Sequence, residues 1–210
     1  MRLTVFGATG GVGGEIVRQA LDAGHEVTAV VRDPARLTST GERLRVVEAD
    51  LSDPEALRAA VAGRDAVLSG LGARSRRAAG VTARLTRAVL AAMAAEDVRR
   101  LVIVSAAPVG PAAEDDGPLD RALRSVVSAV LKDVYTDLRE TEAELARSTA
   151  EWTSVRPPRL LDRPLTGRYR TVVGGFPRAG RAIGRADVAH AMLAAVGDPA
   201  TVRQGVGVAY

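Results

Sequence analysis

The sequence predicts an α/β fold in which one parallel sheet carries helices on both faces. Three observations predict it. Short apolar runs alternate with helical patterns almost to the end of the chain, the signature of successive strand–helix units. The run Leu101 to Val104 has no polar interruption, as expected for a central strand covered on both sides. The chain also opens on a strand-like run, Leu3 to Phe6, followed by glycines at 7, 10 and 13 and a helical pattern from Glu15 to Leu21. Gly7 allows a tight turn, Gly10 lets backbone approach phosphate, and Gly13 lets the helix pack closely on the strand. An anion would then meet free N–H groups at the positive end of the helix dipole. A strand, a glycine turn and a helix start in this order read as a dinucleotide pyrophosphate site. The alternative is a turn that only packs the helix against the sheet.

The remaining elements follow in order. Gly24 closes the first helix, and Glu26 to Val31 and Leu44 to Glu48 read as the second and third strands. Ser52 or Asp53 caps the next helix, with Pro54 in its first turn and Glu55 near the positive end of its dipole. Ala66 to Ser69 is a fourth strand, Thr82 to Ala95 a helix with one apolar face, and Leu101 to Val104 the fifth strand. Pro108 to Pro118 is a loop with an acidic cluster, a lid or a solvated surface loop. Leu119 to Ser148 carries apolar residues near helical spacing and exceeds an average helix, so it reads as one long helix or a broken pair. Trp152 to Arg156 is a sixth strand, ended by Pro157-Pro158. Gly184 to Asp187 opens a last helix running to Val196, and Val206 to Ala209 is a closing strand. Leu160 to Arg181, rich in glycine, proline and arginine, is expected to form a small substrate-side lobe. The result is a single domain, residues 1–210, of the Rossmann-like doubly wound kind, with a lobe at roughly 157–184.

Composition narrows the function. With 210 residues, 47% of them hydrophobic, the chain can bury a core. It has no cysteine, which excludes disulfides and thiol catalysis, and only two histidines, His25 and His190, so no metal site is expected. No run of about 18 apolar residues occurs, and a cytoplasmic location is expected. The net charge is +4, but its basic residues are interleaved with acids and its 3% aromatics are too few for a stacking platform. Neither nucleic acid nor a membrane is expected as a partner.

In such a fold, ligands lie across the carboxyl ends of the strands, so the residues after each strand are the candidates. Arg32 and Arg36 follow the second strand, and two guanidinium forks suit the 2′-phosphate of NADP. Asp33 between them is the alternative, as a ligand for the ribose of NAD. Asp50 and Leu51 follow the third strand and suit adenine, the acid accepting from the amino group and the leucine packing on the ring. Asp50 alternatively caps the following turn. Gly70-Leu71-Gly72 leaves room beside the ribose and pyrophosphate, and Arg74, Arg76 and Arg77 after it face solvent or hold an acidic substrate. Ser105 ends the fifth strand and can orient a carboxamide or a substrate carbonyl. Arg156-Pro157-Pro158-Arg159 leaves the sixth strand with its backbone fixed by proline. The Tyr-x-x-x-Lys proton donor of ordinary short-chain dehydrogenases is absent: Tyr135 precedes Arg139 and Tyr169 precedes Val173 at that spacing.

Gly7-Ala-Thr-Gly-Gly-Val-Gly13 with Val31-Arg-Asp-Pro-Ala-Arg36 resembles the atypical short-chain dehydrogenase/reductases with an NAD(P)-binding domain. Among these, Pro157-Pro158 followed by Asp162-Arg-Pro-Leu-Thr-Gly-Arg-Tyr169 is similar to the flavin reductase and biliverdin reductase B type, and the resemblance spans essentially the whole chain. It implies a monomeric NADPH-dependent reductase accepting flavins and planar tetrapyrrole-like or quinone-like substrates; a dimer seam along the apolar stripe of Leu119 to Ser148 is the alternative to core packing there. Carried over by position, Gly7, Thr9, Gly10, Val12, Gly13, Arg32, Arg36, Asp50, Leu51, Leu71 and Gly72 would bind cofactor; from their places in the chain, Gly11, Ser105 and Pro157 are further cofactor candidates, and Ser105 and Arg159 are the candidates for catalysis. Arg159 stands where that type has histidine, and Ser105 is followed by Ala106 rather than a second hydroxyl. The expected function is NADPH-dependent hydride transfer to a flavin or related conjugated acceptor. The rival is a non-enzymatic NADP-binding redox sensor of the NmrA-like type, which the missing acid favours.

Overall fold

The computed structural model describes residues 1–51, 53–72, 80–109 and 132–210. Eight strands form one sheet in the order β3-β2-β1-β4-β5-β6-β10-β8. These are β1 (Arg2–Phe6), β2 (Glu26–Val31), β3 (Leu44–Glu48), β4 (Ala66–Ser69), β5 (Arg100–Val104), β6 (Glu151–Arg156), β8 (Arg170–Val173) and β10 (Gln204–Ala209). All neighbours are parallel except β8, which runs antiparallel to β10 at one edge. A separate parallel pair joins β7 (Arg159–Leu161) to β9 (Ala182–Gly184). The fold is thus the expected Rossmann-like α/β sheet, with an antiparallel edge strand that the sequence reading did not foresee.

The central strands are apolar throughout because alternate residues feed different faces. On one face Leu3, Val5, Leu68 and Val102 pack with α1 (Gly11–Asp22) and the last helix, α5 (Arg185–Val196). On the other, Phe6, Val67, Leu101 and Ile103 pack with α2 (Pro54–Val61), α3 (Val81–Ala95) and α4 (Lys132–Arg147), through Leu57, Val89, Met93 and Leu145. Helix ends follow local chemistry. Gly24 takes φ +79° beyond α1, and His25 and Gly24 donate to the carbonyls of Ala20 and Leu21, so the open end of α1 is closed. Asp53 caps α2, accepting from the amides of Glu55 and Ala56 at 3.0 and 3.3 Å. The cap of α3 comes from elsewhere in the sequence. Gly80 has no side chain to offer, and Asp137 of α4, buried, accepts from the amides of Thr82 and Ala83 at 3.0 and 2.9 Å.

Of the expected long helix, Lys132–Arg147 is present and 119–131 lies outside the described residues. The same holds for residues 110–118 of the expected loop, for Arg74, Arg76 and Arg77, and for Ser52. Among the described residues no helix is long and apolar enough to cross a membrane, and no group of histidine, aspartate and glutamate could hold a metal ion.

Candidate active site

The carboxyl ends of β1, β4, β5 and β6 stand side by side, with Phe6 opposite Ser69, Ser69 opposite Ile103 and Ile103 opposite Ser154. The residues just beyond them therefore form one rim. Strand order changes direction between β1 and β4, and a crevice at that point is where such sheets take their ligands.

The glycine turn occupies this crevice under steric compulsion. Gly7 sits at φ +72°, and a Cβ there would lie 2.8 Å from the Gly70 carbonyl carbon. A Cβ on Gly13 would lie 2.1 Å from the Gly7 carbonyl oxygen, and one on Gly70 would lie 2.9 Å from the Gly13 Cα. Gly7, Gly13 and Gly70 therefore bring three backbones together. Gly10 is the N-cap of α1 with no side-chain cap bond, and no acid stands in the first turn. The leading N–H groups of α1 are left for an anion. Thr9 flanks the turn, half-buried, and Val12 is buried beneath it.

Beyond β2, the Asp33 carboxylate accepts from the Ala35 amide at 3.1 Å, capping a short 3-10 turn, Pro34–Arg36. Arg32 and Arg36 are exposed and form no ion pair among the described residues. Asp50 is exposed and Leu51 buried, and the cap of the following helix is Asp53 rather than Asp50. Leu71 packs on the core face that holds α2, α3 and α4, and a Cβ on Gly72 would meet nothing within 4 Å among the described residues.

Ser105 donates its amide to the Val155 carbonyl at 2.8 Å, and Ala107 donates to the Pro157 carbonyl at 2.8 Å, so residues 105–107 run beside 155–157. The Ser105 hydroxyl is buried with no hydrogen-bond partner. Of four such atoms among the described residues, it alone sits on this rim. A buried hydroxyl is seldom left unpaired, so its environment suits a ligand's polar group. Glu142 of α4 braces the end of β6, accepting from Ser154 Oγ at 2.7 Å and pairing with Arg156 at 2.5 Å. Arg159 is exposed at the start of β7.

The structure gives the Asp162-to-Tyr169 segment a role that sequence reasoning missed. It lies as a strap along α5 through three successive contacts. Arg185 pairs with Asp162 at 2.5 Å. Asp187 accepts from the amides of Thr166 and Gly167, from Thr166 Oγ1 and from the Tyr210 hydroxyl. Tyr169 Oη lies 2.6 Å from His190 Nδ1. Burial raises the Asp187 carboxyl's pKa, but the hydrogen bonds from Tyr210, Gly167 and Thr166 outweigh it and hold the group below the ordinary carboxylate range. Burial, with Asp187 nearby, pushes the Tyr169 phenol up to about 12. The spacing 185, 187, 190 was visible in the sequence, but nothing in it paired those residues with 162, 166 and 169.

A (4-alkanoyl-5-oxo-2,5-dihydrofuran-3-yl)methyl phosphate reductase of Streptomyces griseus is 32% identical over 207 residues, covering 92% of this chain. The chain spans 62% of that reductase's length. Among solved structures, a Veillonella parvula short-chain dehydrogenase/reductase in complex with NADP superposes with a TM-score of 0.83 at 20% identity, covering 100% of this chain and 94% of that one. A Streptococcus pneumoniae protein assigned as an NADH-flavin reductase gives 0.80 at 22% identity, covering 100% and 99%. Those two likenesses concern the fold. A family model described as NAD(P)H-binding matches residues 7–199, and the chain belongs to that NAD(P)H-binding family.

Proposed function

We propose that the protein is an NADPH-dependent reductase delivering hydride to a flavin or a related conjugated acceptor, quinone-like or tetrapyrrole-like. The observation that carries this reading is the state of the tyrosines. Tyr169 is engaged with His190 and its phenol is pushed up to about 12. Tyr210 donates to Asp187, and Tyr135 has Arg139 where a lysine would activate it. A ketone needs a proton donor as hydride arrives, whereas a flavin takes hydride at a ring nitrogen and its proton from water. An acceptor of the second kind therefore suits this chain.

The residues fit a dinucleotide. The turn at Gly7, Thr9, Gly10, Gly11, Val12 and Gly13 would hold the pyrophosphate on the open end of α1. Arg32 and Arg36 would take the 2′-phosphate, a reading supported by Asp33 being occupied as a cap. Asp50 and Leu51 would receive adenine, Leu71 and Gly72 the neighbouring ribose, and Ser105 with Pro157 the nicotinamide. When bound, the reduced nicotinamide supplies the hydride. Ser105 would donate to a carboxamide or acceptor carbonyl, and Arg159 would pair with an anionic acceptor or stabilise charge on the reduced ring. Residues 1–210 act in this reading as one NAD(P)-binding domain, with 157–184 flanking the substrate, in a cytoplasmic monomer. A crystal structure with NADP and flavin mononucleotide tests the assignment. The flavin ring should lie against the nicotinamide between Ser105 and Arg159; a flavin seated elsewhere, or a cofactor site with no room beside it, would favour the non-enzymatic sensor.

A further inference from the structure

Arg185 has no place in the cofactor assignment above, yet its side chain lies across the open end of α1. A Cβ built on Gly11, the first residue of that helix, would lie 2.6 Å from Arg185 Cδ and 2.8 Å from Nε. Only glycine at 11 lets the arginine stem rest there undisturbed. The guanidinium carbon lies 3.8 Å from the same position, so the charged group stands beside the first residue of a helix whose end has no side-chain cap. Its ion-pair partner among the described residues is Asp162, whose side chain is 90% exposed. An ion pair with so exposed a carboxylate is worth little, so a doubly charged pyrophosphate at the end of α1 can outcompete it.

We propose that Arg185 is a ligand of the dinucleotide pyrophosphate, exchanged from Asp162 when the dinucleotide binds. Asp162 is then a competing anion that the cofactor displaces. The strap keeps its anchors at Asp187 and His190, so only its leading residues are released. The inference rests on the family's dinucleotide and not on the acceptor or on the choice between NAD and NADP.

Calorimetric or NMR titration with ADP-ribose, which carries the pyrophosphate, and with adenosine, which does not, tests it. Arg185→Ala should weaken ADP-ribose roughly tenfold or more, the effect of losing hydrogen bonds between charged groups, and leave adenosine unchanged. Asp162→Asn, at an exposed position, should tighten ADP-ribose by up to about fivefold, the worth of a surface ion pair no longer competing. Unchanged ADP-ribose affinity in Arg185→Ala, equal losses for both ligands, or weaker ADP-ribose binding in Asp162→Asn would each overturn the proposal. Because Asp162→Asn is read by a gain, a folding defect in the arginine variant cannot mimic support. Failure here with flavin reduction intact would leave the proposed function standing.

Discussion

Arg32, Asp33 and Arg36 divide two tasks within five residues. The acid is used by the backbone, capping the turn through Ala35, and the two guanidiniums stay unpaired among the described residues. Arg32→Ala should therefore weaken NADPH by roughly ten- to a hundredfold, as expected for lost hydrogen bonds to a charged group, while NADH affinity barely moves. Equal losses for both cofactors in a fluorescence titration would return the ribose to Asp33. Ser105 and Arg159 separate placement from charge. If placement dominates, Ser105→Ala lowers flavin reduction by at most about a hundredfold, the low end of acid–base effects. Arg159→Ala should raise the Michaelis constant for flavin mononucleotide more than for a neutral quinone. Complete loss of turnover in the serine variant with cofactor affinity intact would make Ser105 an essential proton-handling group.

At the scale of elements, the strap along α5 is held chiefly by Asp187. Its carboxyl is depressed in the folded state, so its stabilisation is present above the ordinary carboxylate range and is lost as pH falls through the lower folded value. The melting-temperature gap between wild type and Asp187→Asn should be widest at neutral pH, begin to narrow below about pH 4 and close as pH falls through the lower folded value. A gap independent of pH would assign the effect to packing. At the far end of the same helix, buried Arg100 donates to the carbonyls of Val196, Glu151 and Ala195 and to Thr153 and Thr201, tying the end of α5 to β5 and β6. Burial lowers its pKa. Arg100→Met removes the shared donor, with the Asp198 amide and Thr201 hydroxyl remaining as donors to the Ala195 carbonyl, and should cost about 2–4 kcal/mol in denaturant unfolding, given about 1–3 kcal/mol per stranded buried polar group. A loss of a few tenths would mean that water replaces the guanidinium.

These elements also mark how far the sequence could be read. Elements with local signals were legible: Glu26–Val31 at its observed bounds from an apolar run, and the start of the helix Pro54–Val61 from Asp53-Pro54-Glu55. What failed depends on contacts between distant residues. β8 is an exposed edge strand, Arg170–Val173, whose pattern means nothing without β10 beside it. The cap on α3 comes from Asp137, 55 positions after Thr82. The rim residues were found because the Rossmann connection fixes which strand ends meet, whereas Arg185 was missed because its approach to Gly11 is tertiary.

For the whole molecule, the parallel order around β1 and β4 makes one crevice, and three close backbone contacts at Gly7, Gly13 and Gly70 shape it for a dinucleotide. The side chains that would normally donate a proton are committed elsewhere, to His190 and Asp187. A fold of this kind serves catalysts and sensors alike, so the decisive quantity is turnover. The direct measurement is NADPH consumption by the purified protein with flavin mononucleotide, set beside NADP binding to the same preparation. Flavin-dependent consumption is expected, saturating in both NADPH and flavin and slower with NADH at equal concentration. Tight NADP binding with no consumption for flavin or for a neutral quinone would contradict it and identify a binding protein that carries the cofactor without using it.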